Sequence, residues 1–285
     1  MELFESIRSE AERFLKEDAG NAMELVKETL LKNERMWESP LLGVSRGDDP
    51  IFETFREWVD PRHWTPAEAF SLGGYGTVSA DELSIVSWIL PHSAVTKQDN
   101  ARQKEWPAER WARSRIFGEK ENVRLRAHMV EFLKTSGVDA VAPMNLEAWT
   151  SMASERYVFV STWSERHIAH ACGLGTFGLC DGLITPLGKA VRIGSIVLRA
   201  RLTPTPRPYS RYDEYCIFKT QKKCGACIAR CPVGALSERG HDKSRCSQWL
   251  SGRTAPYVLE NYKFEGYGCG LCQTGVPCAS GIPSA

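Results

Sequence analysis

Apolar residues recur every three or four positions near the start of the chain, which is the spacing of one face of an amphipathic helix. Over residues 2–16 this face comprises Leu3, Phe4, Ile7, Ala11, Phe14 and Leu15. A second pattern predicts a helix over residues 22–37, with Leu25, Val26, Leu30 and Leu31 directed inward. The segment VSRGDDP (44–50) then breaks the periodicity.

Two more helices are predicted further along the chain. The longer covers residues 107–137, is interrupted or bent near Gly118, and ends at Gly137. The shorter covers residues 165–172, with Ser164 as its N-cap. Short apolar runs rich in β-branched residues predict strands at 83–90, 138–143, 156–162 and 191–202. Strands that alternate with helices in this way indicate a layered α/β or α+β domain.

A proline-rich segment, TPTPRP (203–208), follows the last of these strands. Such segments act as stiff linkers, so we place a domain boundary there. The predicted organisation is an N-terminal helical or irregular segment over residues 1–80, packed on the next domain. An α/β cofactor domain over residues 81–203 follows, and a cysteine-rich domain over residues 204–285 completes the chain.

Composition agrees with a globular protein: of 285 residues, 42% are hydrophobic and 25% are charged. No apolar run has the length of a membrane span, and the N-terminal residues are charged throughout, so we expect a cytoplasmic protein that does not engage a membrane. Residues 201–285 carry 12 Lys or Arg against 6 Asp or Glu. A basic tail is typical of nucleic-acid surfaces. Bound metal clusters would offset the same charge, so nucleic acid is not the expected partner.

Eight of the ten cysteines lie in the last 70 residues, a clustering that favours metal binding over disulfides in a reducing compartment. The stretch KKCGACIARCPVGAL (222–236) contains Cys224-x2-Cys227-x3-Cys231-Pro232. Bacterial ferredoxins carry C-x2-C-x2-C-x3-C-P at their iron–sulfur clusters. The first cysteine of that run is replaced here by Gln221.

The other tail cysteines supply the sulfur that this run lacks. Two-cluster ferredoxins exchange one ligand between their runs, because the chain doubles back and brings the end of each run beside the other cluster. We therefore predict two 4Fe–4S clusters. The first is assigned to Cys216, Cys224, Cys227 and Cys278, and the second to Cys231, Cys246, Cys269 and Cys272. Zinc also uses paired C-x2-C hooks, but the x3 spacing, Pro232 and the absence of a paired His motif in the tail argue against it.

A glycine-dense loop precedes the tail, and its segment GLGTFG (173–178) matches G-x-G-x-x-G literally. Dinucleotide sites need a strand before this motif and an acid about 20 residues later. Here a helix is predicted before it, and residues 182–212 contain no Asp or Glu. The loop is instead predicted to approach a flat or bulky cofactor closely. The candidate contacts are Gly173, Gly175, Thr176, Phe177, Gly178, Ile184, Thr185, Pro186 and Gly188.

Several other side chains near this loop invite a chemical interpretation. His167 and His170 lie one helical turn apart, a pattern more typical of ordinary surface or core histidines than of a metal site. Cys172 and Cys180 are not needed as ligands, and Cys180 is interpreted as a small buried cysteine rather than a reactive thiol. Asp181 is a candidate catalytic carboxylate, with loop capping as the alternative.

Residues 164–198, followed by the cysteine tail, resemble the epoxyqueuosine reductase and reductive dehalogenase superfamily. The similar elements are Glu165-Arg166, the loop 171–178, Leu183-Ile184-x-Pro186 and the strand that contains Gly194. In the tail they are Cys224, Cys227, Cys231-Pro232, Cys246 and Cys269-x2-Cys272. The resemblance covers residues 155–280 and corresponds to a short form that lacks C-terminal helical repeats.

This resemblance implies a nitroreductase-like α/β domain that holds cobalamin against a ferredoxin-like domain with two 4Fe–4S clusters. Electrons would pass through the clusters to cobalt, which acts on an epoxide or a carbon–halogen bond. It also implies an external donor, reduced ferredoxin or flavodoxin, and a small-molecule or modified-nucleoside substrate. Ser161 stands near the position of the acidic proton donor of the reductases, and it is the second catalytic candidate.

Three functions from different classes follow. The first is an iron–sulfur oxidoreductase that passes electrons through two 4Fe–4S clusters to cobalamin or a substrate in the α/β domain. The second is a ferredoxin-like electron-transfer protein without cobalamin or a substrate of its own. The third, a zinc-stabilised nucleic-acid-binding module, depends only on the basic tail.

Overall fold

The computed structural model describes residues 2–24 and 34–284. The helix expected over residues 22–37 falls mostly outside these residues. Its two described ends are extended: Ala22 and Arg35 form an antiparallel bridge, and Trp37 forms another with His92.

The described chain contains ten α-helices and ten strands. The helices are α1 (Glu2–Glu17), α2 (Ile51–Trp58), α3 (Pro66–Phe70), α4 (Ala94–Arg102), α5 (Glu109–Thr135), α6 (Glu165–Ala171), α7 (Ile217–Gln221), α8 (Ala226–Ala229), α9 (Lys243–Trp249) and α10 (Ala255–Tyr262). The strands are β1 (Leu41–Arg46), β2 (Ser84–Pro91), β3 (Ala140–Val141), β4 (Ser151–Ser154), β5 (Val158–Ser161), β6 (Thr176–Phe177), β7 (Leu183–Ile184), β8 (Val191–Leu198), β9 (Leu236–Ser237) and β10 (Gly240–His241).

The main sheet has four strands in the order β1-β2-β8-β3, and every neighbouring pair is antiparallel. In the β2–β8 register, Val86 lies opposite Ile196 and Trp88 opposite Gly194. All eight residues of β2 are buried, which requires cover on both faces of the sheet. The mixed architecture predicted from the sequence is confirmed.

Helices cover the sheet on both sides, because successive side chains of each strand point to opposite faces. On one side Val86, Trp88 and Leu90 pack in a core with residues of α1 and α5. On the other side Ile85 and Ile89 pack with residues of α2, α3 and α6. Helix α6, which leads into the glycine-dense loop, is thus fixed against the centre of the sheet.

Two features differ from the sequence prediction. Residues 41–46 lie within the segment expected to be helical or irregular, yet they form edge strand β1, so the division at residue 80 runs through one sheet. Helix α5 is also continuous from Glu109 to Thr135. Gly118 does not interrupt it. A Cβ at this position would lie 2.4 Å from the Trp37 ring, so the glycine makes room for an indole.

The cysteine-rich tail packs directly against the preceding domain. Leu179, Cys180 and Ile184 share one apolar cluster with tail residues that include Cys216, Phe218, Cys227 and Val276. The linker is bound as well: the Thr205 amide donates to Val44 O at 2.9 Å, and the Val44 amide donates to Thr205 Oγ1 at 2.9 Å.

In the ranges 2–24 and 34–284, no helix combines the length and apolar character that a membrane crossing requires.

A buried amide connects the sheet to α5. Asn122 Oδ1 accepts a hydrogen bond from Trp88 Nε1 at 2.9 Å, and Asn122 Nδ2 donates to Ile193 O at 3.0 Å. Both Asn122 and Trp88 are fully buried. A partner removed from such a position leaves the remaining groups unpaired, and each then carries its full desolvation cost.

We expect Asn122→Ala to lower the free energy of unfolding by about 2–4 kcal/mol, because it leaves a buried N–H and a buried C=O unpaired. Urea unfolding followed by far-ultraviolet circular dichroism measures the change. The control is Asn261→Ala, which removes an exposed side chain that bonds Tyr257 O and should change stability by less than about 0.5 kcal/mol. Equal effects of the two substitutions would contradict the role given to Asn122.

Candidate metal centre

Four cysteines predicted to bind the first cluster line one cavity at the junction of tail and α/β domain. They are Cys216, Cys224, Cys227 and Cys278. The space among these residues amounts to about 380 Å³ only when open solvent is counted, and the cavity itself is about 20 Å³. Leu179, Ile184, Phe218 and Val276 form much of its apolar wall. Sulfur ligands inside an apolar shell are the usual setting of an iron–sulfur cluster.

Local backbone structure explains how distant cysteines meet here. Cys216 is the N-cap of α7, and Cys227 lies in α8 two residues after Gly225, the N-cap of that helix. Cys278 is held beside the cavity because its carbonyl accepts a hydrogen bond from the Lys189 amide at 2.9 Å. The chain segments that carry Cys216, Cys227 and Cys278 thus meet at the same cavity.

The second predicted set of four lies near this cavity. Burial, together with the neighbouring thiols of Cys246 and Cys231, raises the pKa of the Cys269 thiol to about 11. Cys231 Sγ accepts a hydrogen bond from the Ala235 amide at 3.2 Å. The fourth member, Cys272, lies close to both Cys269 and Cys180.

Within the described ranges, no three His, Cys, Asp or Glu side chains stand close enough to hold one metal ion. A single zinc ion draws its sulfur ligands to about 2.3 Å. A 4Fe–4S cluster spreads its four ligands over a larger body, so a cavity with thiols along its wall is the relevant observation. The four thiols of the first set lie along one cavity, and this donor set suits an iron–sulfur cluster. Both ligand sets remain predictions.

The glycine-dense loop is packed against protein rather than open to a cofactor. A Cβ on Gly175 would lie 2.2 Å from Ile184 O, and one on Gly188 would lie 2.3 Å from Ala279 O. Of the nine predicted contacts, only Gly173, Phe177 and Pro186 keep some exposure. The others, which also include Thr176, Gly178, Ile184 and Thr185, are buried. These glycines lie close to other backbone of this chain, and the cofactor contacts stay a prediction.

Hydrogen bonds fasten the tail to this loop. The Phe177 amide donates to Tyr212 O at 2.6 Å, and the Tyr215 amide donates to Thr176 Oγ1 at 2.9 Å. Tyr209 Oη donates to His170 O at 2.5 Å. The loop and the end of α6 thus hold the first part of the tail in place.

Two histidines and a serine near the loop have structural partners. Burial lowers the pKa of both His167 and His170, so both rings are neutral. His170 Nδ1 lies 2.8 Å from Gly175 O, and Ser161 Oγ donates to Trp163 O at 2.9 Å. His170 and Ser161 stabilise the loop and the segment that leads into α6.

Asp181 adopts a left-handed backbone conformation, with φ of 58°. Its Oδ2 lies 3.0 Å from His241 Nδ1. Burial alone would lower the pKa of His241, but hydrogen bonds to Asp181 and Cys246 raise it to about 9. Asp181 is thus paired with a histidine of the tail.

Cys180 has neighbours that the sequence did not reveal. It is buried, as predicted, and its thiol faces the Cys272 carbonyl oxygen at 4.0 Å. The neighbouring thiols of Cys227 and Cys272 lower the pKa of Cys180. Lys189 Nζ donates to Cys180 Sγ at 3.3 Å, and this lysine is buried too. The sequence gives no sign of this pair, because a lysine nine residues after a cysteine matches no known motif.

No family model matches the sequence. An epoxyqueuosine reductase of Staphylococcus aureus is 28% identical over 125 residues, which cover 42% of this chain and 30% of that protein. The aligned part is therefore less than a third of the length of this curated relative.

The fold matches solved structures over most or all of the chain. An epoxyqueuosine reductase with an epoxyqueuosine-modified tRNA-Tyr stem loop aligns with a TM-score of 0.54 and 16% identity, over 100% of this chain and 67% of that one. A reductive dehalogenase described for B12-dependent dehalogenation aligns with a TM-score of 0.51 and 13% identity, over 85% of this chain and 30% of that one. At these identities the structures establish the fold. The resemblance seen in the sequence is confirmed.

We expect Gly173→Ala to destabilise the junction, because Gly173 has φ of 79° and a Cβ there would lie 2.6 Å from Pro206 O. Gly137→Ala is a matched control, since Gly137 has φ of 77° but no atom within 4 Å of such a Cβ. In both variants the new alanine must adopt a left-handed backbone conformation, which lowers the free energy of unfolding by about 1–2 kcal/mol. Only Gly173→Ala should add about 1–3 kcal/mol for the collision. Equal unfolding midpoints in urea would contradict a tight contact at Pro206.

Proposed function

We propose that this chain is an iron–sulfur oxidoreductase that passes single electrons through two 4Fe–4S clusters to an acceptor in the α/β domain. The observation that carries the proposal is the cavity lined by Cys216, Cys224, Cys227 and Cys278 between the two parts of the chain. Such clusters, when bound, take up and release one electron at a time. Likeness to epoxyqueuosine reductases supports a reductive activity.

The residues of the chain would bind and insulate these clusters. Thiolates hold the iron, and the apolar wall of Leu179, Phe218 and Val276 keeps water from the sulfur. The Ala235 amide, which donates to Cys231 Sγ, stabilises negative charge on a ligand of the second set. Reduced ferredoxin or flavodoxin is the proposed external donor.

Cobalamin is the acceptor implied by the sequence resemblance, but the residues predicted to bind it are mostly engaged with the tail. Thr176 and Phe177 hold Tyr215 and Tyr212, and Gly188 lies against Ala279. They do not form an open face for a corrin ring. We therefore assign the electron path as far as the clusters, and we leave cobalamin as a binding hypothesis to be tested by itself.

For the substrate, the resemblance favours an epoxide or a carbon–halogen bond, in a small molecule or a modified nucleoside. One similar fold was solved with a tRNA stem loop, which does not support our expectation that nucleic acid is not a partner. A modified nucleoside within RNA is accordingly part of the proposed substrate class.

A second function is favoured by one observation. If the loop 173–188 serves only to hold the tail, as its contacts with Tyr212, Tyr215 and Ala279 suggest, the chain is an electron carrier without a substrate of its own. The two functions share the clusters and differ in whether anything binds at the α/β domain.

Chain purified without oxygen should be brown and contain about eight irons, because two 4Fe–4S clusters are expected. Cys216→Ser should lower this to about four, since Cys216 lines the cavity of the first set. Iron analysis and the visible spectrum measure both values. Cys172→Ser is the control, because Cys172 is buried beside Ile85 in the α/β domain and belongs to neither set, so its loss should leave the iron content unchanged.

Unchanged iron in Cys216→Ser would contradict the ligand assignment. A colourless chain that contains zinc would overturn the proposed function as a whole.

Cobalamin binding separates the reductase from the carrier. Chain reconstituted with iron, sulfide and cobalamin, then passed through a desalting column, should retain cobalamin with its own visible bands if the reductase hypothesis holds. A brown chain that retains none, and that reduces neither an epoxide nor an organohalide when supplied with reduced flavodoxin, would establish the carrier instead. The Cys216→Ser chain serves as the control for binding that depends on the intact junction.

A further inference from the structure

One buried lysine lines the cavity of the first predicted ligand set. Lys189 follows Gly188 in the loop of the α/β domain, whereas the four cysteines of this set belong to the tail. The residue is 3% exposed, so its side chain is withdrawn from solvent. Lysine is almost never buried to this extent unless its charge is paired. Its position therefore requires a negative group nearby.

The loop fixes Lys189 in this position. The Thr185 amide donates to Gly188 O at 3.1 Å and the Gly188 amide donates to Thr185 O at 2.8 Å, which closes a tight turn directly before the lysine. The Lys189 amide donates to Cys278 O at 2.9 Å. Gly182 packs against the methylene groups, since a Cβ there would lie 3.6 Å from Lys189 Cδ. Both the backbone and the side chain are thus held beside the cavity.

The ammonium group has a weak partner and lacks a carboxylate among the described side chains. Lys189 Nζ donates to Cys180 Sγ at 3.3 Å, and sulfur is a weak acceptor. Within residues 2–24 and 34–284, no carboxylate oxygen lies within 4.0 Å of Nζ. A buried charge without an opposite charge is strongly destabilising. The thiolates and sulfides of a cluster in this cavity would supply the negative charge that Lys189 lacks.

We propose that Lys189 raises the reduction potential of the first cluster, so that this cluster accepts the electron that the second one carries. The inference rests on the proposed iron–sulfur function. One electron leaves the second cluster, which is oxidised, and enters the first, which is reduced. No bond forms or breaks, and no proton moves, because the lysine is charged before and after the step.

The physical reason is the extra negative charge of the reduced cluster. Net charge, hydrogen bonds to sulfur and exposure to solvent set the potential of such clusters. A cation in an apolar cavity acts through a low dielectric constant, so it stabilises the added electron far more than a cation in water would. The wall formed by Leu179, Ile184 and Phe218 provides this environment.

The position of Lys189 also gives the electron path a direction. Among the described residues, Lys189 shares the cavity with the whole first set and with no cysteine of the second set. The lysine belongs to the α/β domain, where the proposed function places the final acceptor. The cluster with the raised potential is thus the one that lies against that domain, and electrons are drawn towards it.

The test is a redox titration of the anaerobically reconstituted full chain, followed by electron paramagnetic resonance. Lys189→Met keeps a long side chain and removes the charge. It should lower the equilibrium constant for reduction of the first cluster at least tenfold, which is about 59 mV for one electron. The second cluster should change much less. Cys216→Ser, which is expected to lose the first cluster, identifies the signal of each.

Two controls separate charge from packing. Lys189→Arg keeps the charge and should keep the potential near that of the intact chain. Lys223→Met removes an exposed lysine next to Cys224 in the sequence, and water screens that charge, so both potentials should stay unchanged.

Full iron content and unchanged potentials in Lys189→Met would overturn the inference. If Lys189→Met loses the first cluster, Lys189→Gln is titrated instead. Loss of the cluster from both neutral variants, with retention in Lys189→Arg, would overturn it too, since the charge would then serve assembly rather than the potential. An intact chain without clusters would instead refute the proposed function.

Discussion

The close approach of the tail to the loop 173–190 is the contact on which the rest of the site depends. Gly188 allows the loop backbone to lie against the tail, where a Cβ would collide with Ala279 O, and Gly175 allows the loop to fold closely on itself at Ile184 O. This contact brings Cys180 and Lys189 to the tail thiols, and the Lys189 amide positions Cys278 through its carbonyl. Larger side chains at these glycines would separate the sulfur atoms that line the cavity.

Charge balance makes a second demand on the same junction. Several thiolates gathered in an apolar cavity repel one another, and burial disfavours each of them. Lys189 is a buried cation near four thiols, which stabilise its charged form although burial alone opposes it. The basic excess of the tail comes from many side chains along its length. The single buried lysine, which comes from the other domain, acts where the negative charge is concentrated.

The sequence predicted best what depends on local pattern. The periodicity of residues 2–16 and the apolar run at 83–90 correspond to α1 and β2. Residues whose role is set by distant partners were predicted poorly. Gly118 resembles a helix interruption until Trp37 lies on it. The β1 sequence, LLGVSR, has one β-branched residue and a glycine, so it does not stand out as a strand before it pairs with β2. Cys180 belongs to the same group, since its neighbours include the Cys272 carbonyl oxygen, which lies far along the chain.

The glycine loop shows why one pattern supports two functions. Dense glycine indicates that something approaches the backbone closely, but it does not say whether that is a cofactor or the chain itself. Here the partners are other segments of this chain, at Ile184, Pro206 and Ala279. The same glycines that suggested a cofactor cradle are thus needed for the cluster cavity in either function. Evidence for a bound cofactor must therefore come from groups that keep exposure beside the loop, such as Phe177 and Pro186, because the glycines are already accounted for by the packing of the chain on itself.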